Sequence, residues 1–64
     1  MKNETPEKAL ILDAYAQALL AAKSKGMDGD HAKAAARNAA ARVVSRAIQR
    51  PITPDYVAEI VARF

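Results

Sequence analysis

The chain has 64 residues, no cysteine, no tryptophan and a net charge of +3. Its length holds one domain at most, and no disulfide can staple it. No apolar run approaches the ~20 residues of a membrane-spanning helix, and Met1–Pro6 lacks the apolar stretch of a signal region, so the expected address is the cytoplasm.

Hydrophobic residues make up 52% of the chain, but 16 of them are alanine. Alanine buries little area, and burial stabilises by roughly 25 cal/mol per Å². A core built from the remaining Leu, Ile, Val, Met, Phe and Tyr side chains is thin, and self-association is one of the few supports open to it. The charge is also uneven. Residues 1–30 carry four lysines against five acids. Residues 31–50 carry Lys33, Arg37, Arg42, Arg46 and Arg50 and no acid. Residues 51–64 set Arg63 against Asp55 and Glu59. The positive charge belongs to the middle of the chain.

The first helix is expected over residues 6–25. Thr5 can cap it, Pro6 is tolerated at its first position, and Glu7 suits the positive end of its dipole. No Gly or Pro interrupts residues 7–25, and Gly26 offers a left-handed cap. Ile11, Ala14, Tyr15, Ala18, Leu19 and Ala22 form one apolar stripe with Leu12 at its edge, and Asp13, Gln17 and Ser24 mark the polar side. Leu10 and Leu20 fall off that stripe. With so small a core, they are expected in a homodimer contact together with Phe64.

Residues 27–30 read as a loop in which Asp28 or Asp30 caps a second helix over residues 30–49. Pro51 ends it, because the residue before a proline is driven out of helical geometry. Ala36, Ala40, Val43, Val44, Ala47 and Ile48 are expected to line its core side. Arg42, Arg46 and Arg50 recur every fourth residue on the other side. Lys33 and Arg37 lie nearer the apolar side, and this half of the helix is expected to run past the core into solvent.

Thr53-Pro54-Asp55 repeats the start signal of the first helix. Val57, Ile60, Val61 and Phe64 then make one apolar face of a short helix over residues 54–64. The fold expected is all-α: two long antiparallel helices plus a short C-terminal helix.

Residues 43–62 resemble the bacterial helix-turn-helix motif. Ala47 takes its small position, and Ile52, Val57 and Ile60 take its apolar positions. The resemblance implies a DNA-binding regulator. The sequence departs from the motif at Pro51, which stands in the glycine place and cannot turn left-handed. Asp55 and Glu59 on the reading helix would repel phosphate.

Sites for chemistry are sparse. His31 is the sole histidine, and with Asp28 and Asp30 it falls short of a zinc site. Asp28-Gly29-Asp30 lacks the later oxygen ligands of a calcium loop. Ser24 and Ser45 sit in no nucleophile elbow, and no glycine loop cradles phosphate. No enzyme, metal or cofactor is expected. The expected function is that of a small interaction or regulatory protein, a homodimer that docks an acidic protein partner on Lys33, Arg37, Arg42, Arg46 and Arg50. The alternatives are DNA binding through the basic helix, and a designed or excised helical module with no natural ligand.

Overall fold

The computed structural model describes residues 6–63. Three helices follow in order: α1 spans Pro6–Ser24, α2 Gly29–Ile48 and α3 Pro54–Ala62. No strand occurs among the described residues. A four-residue connection joins α1 to α2, and Glu7 near the start of α1 meets Arg50 just past the end of α2, so the two long helices run antiparallel. α3 packs against both. The expected Thr5 cap and the Phe64 contact lie outside the described residues.

Each helix boundary has a local cause. At the end of α1, Gly26 adopts φ +92. Its N–H reaches the Lys23 carbonyl at 3.0 Å, and the Met27 N–H reaches the Ala22 carbonyl at 3.1 Å. This paired closure is the Schellman motif, and a residue without Cβ suits its left-handed position. Asp28 precedes α2 in extended geometry, but its side chain makes no capping bond. Its carbonyl instead accepts the Ala32 N–H at 3.3 Å. The side chain expected to cap α2 therefore supports it by charge alone, with Asp30 in the first turn.

α2 stops at Ile48, ahead of Pro51. Gln49 takes the left-handed conformation, φ 56 and ψ 41, and the Arg50 N–H closes on the Ser45 carbonyl at 3.3 Å. A non-glycine residue in that region costs about 1–2 kcal/mol. Ser45 offsets some of this cost by holding the connection. Its hydroxyl accepts the Ile52 N–H at 2.9 Å and donates to the Ile52 carbonyl at 3.3 Å. Thr53 then caps α3 by accepting the Tyr56 N–H at 3.1 Å, with Pro54 at the first helical position.

The core lies where three helices meet. Ile11, Ala40, Ala41, Val44, Val57 and Ile60 are buried there. Leu12, Ala14, Tyr15, Ile48, Ile52, Tyr56 and Val61 pack around them. Toward the α1–α2 connection the buried side chains are alanines only: Ala22, Ala32 and Ala36.

Two expectations about α2 are corrected here. Its N-terminal half does not run free of the core, because Ala32 and Ala36 are completely buried. Small side chains let α1 and α2 pack closely along that length. Val43 and Ala47 do not line the core, since Val43 is 59% exposed and Ala47 is exposed. Ala41 is buried instead. The buried line runs Ala32, Ala36, Ala40 and then shifts to Ala41, Val44 and Ile48. A four-residue step advances about 40° around a helix of 3.6 residues per turn, and α3 packs on the side to which the line moves.

Candidate functional site

α2 carries the basic residues on more than one face. Arg42 and Arg46, one turn apart, are both exposed. Neither pairs with a carboxylate among the described residues, where the one ion pair is Glu7–Arg50. Arg50 does not continue their ridge, because α2 has ended and the left-handed Gln49 redirects the chain. Lys33 is exposed and Arg37 half-buried. Arg37 is nine residues from Arg46, about half a turn around the helix, so these two basic residues lie on opposite sides. Of the five expected contact residues, the fold leaves Arg42 and Arg46 together and unpaired.

Arg50 belongs to a polar latch that joins all three helical segments. Its guanidinium pairs with the Glu7 carboxylate on α1. That carboxylate also faces the Tyr56 hydroxyl in the first turn of α3. Hydrogen bonding to Glu7 raises the Tyr56 pKa above its ordinary 10.0, helped by burial and by the charge of Glu7 and opposed by Arg50. An exposed ion pair is worth about 0–1 kcal/mol, so the latch orders this corner more than it stabilises it.

A folded-state pKa above the unfolded value gives a contribution that is complete below about pH 10 and is lost as pH rises through the folded value. Melting curves of the wild type and of Tyr56→Phe should converge as pH rises from about 9 to about 12. Subtracting the two removes every other titration. A difference that stayed constant over that range would mean that Tyr56 and Glu7 do not interact.

Leu10 and Leu20, expected at a dimer contact, are 40% and 69% exposed. They are ten residues apart, about 80° around α1 and about 15 Å along it. One flat contact therefore does not take both equally. Leu20 follows the exposed Ala16 by one turn, and Leu10 follows Glu7 by three residues.

The positions that resemble a helix-turn-helix separate in the same way. Val57 and Ile60 are buried and Ile52 is half-buried, but Ala47 is on the surface. The left-handed residue of the turn is Gln49, not residue 51. The exposed charges of α3 are Asp55 and Glu59, with Arg63 just past its end, a net negative set. His31, Asp28 and Asp30 are all exposed. No group of three or more His, Asp or Glu side chains gathers to hold a metal among the described residues. No helix among them is long and apolar enough to cross a membrane. No family model matches the chain, and neither does any curated protein or solved structure.

Sequence reasoning missed two residues of consequence. Ser45 showed no signal, since a serine inside a helix has no marked preference. Glu7 was read as a helix-dipole residue, and its partner 43 positions away depends on the register of the hairpin.

Proposed function

We propose that the protein is a small cytoplasmic interaction or regulatory protein, non-enzymatic, that docks an acidic protein surface on α2. The observation that carries this reading is the exposed pair Arg42 and Arg46, one turn apart and without an intramolecular carboxylate. Arginine presents a planar fork suited to bidentate contact with carboxylates. DNA is less suited, because the exposed face of α3 is acidic and no aromatic residue interleaves with the arginines for base stacking. The chain acts as a homodimer joined through the Leu20 side of α1, which covers the largest aliphatic exposure on that helix.

The test is a double charge reversal, Arg42→Glu with Arg46→Glu. Both side chains are exposed, so the helical spectrum should stay unchanged and stability should move by no more than about 0.5 kcal/mol. Binding to immobilised polyglutamate should be lost. Retention of the double variant equal to wild type would place the docking surface elsewhere. Stronger retention on duplex DNA, falling steeply with salt, would favour the DNA reading. Sedimentation should give twice the chain mass for wild type and a monomer for Leu20→Glu. A wild-type monomer at high micromolar concentration refutes the dimer.

A further inference from the structure

The two free arginines run along one side of an aliphatic side chain that the fold leaves outside, about 100° and 60° around the helix from it. Val43 is 59% exposed and lies between Arg42 and Arg46 in the chain. Ala47, one turn further on, is exposed as well. Ser45 holds the connection to α3 through Ile52, and Val43, two residues away, lies about 200° around the helix from it. Val43 therefore faces away from α3.

α1 runs antiparallel to α2, and the Glu7–Arg50 pair ties its start to the chain just past the end of α2. Val43 and Ala47, four residues apart, lie one above the other on α2. The result is one small apolar strip, Val43 and Ala47, edged on one side by Arg42 and Arg46.

Building on the acidic-partner reading above, we infer that this patch seats the apolar anchors of an amphipathic helix whose flanking carboxylates pair with Arg42 and Arg46. Charge complementarity selects the occupant. Two unpaired cations along one edge of an aliphatic strip match a helix with large apolar residues at i, i+4 and i+7 and acids along one side of that face. The small Ala47 lets a partner backbone approach closely. A second copy docked antiparallel fits poorly, because that two-fold sets Arg42 and Arg46 against their own symmetry mates. A phosphate backbone offers nothing to cover Val43.

The experiment uses the full chain and fluorescein-labelled peptides of about 18 residues, long enough to be helical on contact. One peptide carries leucines at i, i+4 and i+7 with glutamates along one flank. A second has the same composition scrambled, with no apolar face. Fluorescence anisotropy should show the amphipathic peptide binding about tenfold or more tightly than the scramble. Val43→Ser should weaken it about tenfold with no change in the helical spectrum, and Leu20→Ser should leave it unchanged. If both peptides bind alike, Val43→Ser has no effect and the double arginine reversal releases both, then acidic docking stands and the helix-anchor inference falls. If neither peptide binds, both readings fall together. If Val43→Ser instead halves the sedimenting mass, the patch belongs to a second copy and the inference is overturned.

Discussion

Ile11→Ala is expected to cost about 2–5 kcal/mol, a large share of what holds this domain together. Stability runs at roughly 0.05–0.15 kcal/mol per residue, so a chain of 64 residues has about 3–10 kcal/mol in all. Ile11 is fully buried, and with Val44 and Val57 it is among the largest side chains buried completely. It sits where α1 meets both other helices, so its removal leaves a cavity bounded by all three. The neighbours are poorly placed to collapse into that cavity. Ala40 and Ala41 are too small, and Val57 is fixed by the Thr53 cap at the start of its helix. Leu10→Ala is the control: it removes a comparable side chain from a position of the same helix that is 40% exposed and outside the proposed dimer contact, and it should cost about 1 kcal/mol or less. A loss of 2 kcal/mol in a domain this size lowers the melting temperature by about 8–16 °C. Thermal melts should then show Ile11→Ala far below wild type and Leu10→Ala much closer to it. The opposite order would mean that the inward face of α1 has been misassigned.

The parts of the fold legible in the sequence are those set by chemistry within a few residues. Thr53-Pro54 and Gly26 act on backbone groups that are their neighbours, and both end up where their chemistry puts them. The apolar stripe of α1 was legible because Ile11 and Tyr15 contrast with Asp13 and Gln17. α2 offers no such contrast. Eight of its 20 residues are alanine, which is tolerated inside and outside alike, so periodicity could not distinguish Ala41 from Ala47. What decides between them is α3, which covers one side of α2 and leaves Val43 on the other. Gln49 carries no left-handed preference that a reader of the chain could use, and its conformation follows from the chain reversal that Ser45 and Ile52 enforce. The candidate site divides along the same line. The four-residue spacing of Arg42 and Arg46 is a local property and survives folding. The place of Arg50 depends on where α2 stops, and its neutralisation depends on a contact with Glu7.

A proline at Ala40 should be the most damaging single change in α2, costing about 3 kcal/mol or more. Proline removes the N–H that bonds to the Ala36 carbonyl, and its ring clashes with that carbonyl. Ala36 and Ala40 are both completely buried, so the freed carbonyl would find no water. A buried acceptor without a partner adds about 1–3 kcal/mol. The added ring atoms must also fit into the core between α1 and α2, where Ala40 shares a buried cluster with Ile11 and Val44. Asn38→Pro separates these effects. Asn38 is exposed on the same helix, two residues earlier, so a proline there breaks the helix without overfilling the α1–α2 contact. Ala40→Pro should leave the chain largely unfolded by circular dichroism at 25 °C, whereas Asn38→Pro should leave a destabilised but folded population. Ala40→Leu completes the comparison, because it overfills the contact by about 1–3 kcal/mol with the backbone intact. If Ala40→Pro and Asn38→Pro melt together and Ala40→Leu is neutral, the alanine contact is loose and the stability of α2 is local. If Ala40→Leu alone takes away much of the stability, close approach of α1 and α2 is what holds the alanine-rich end together.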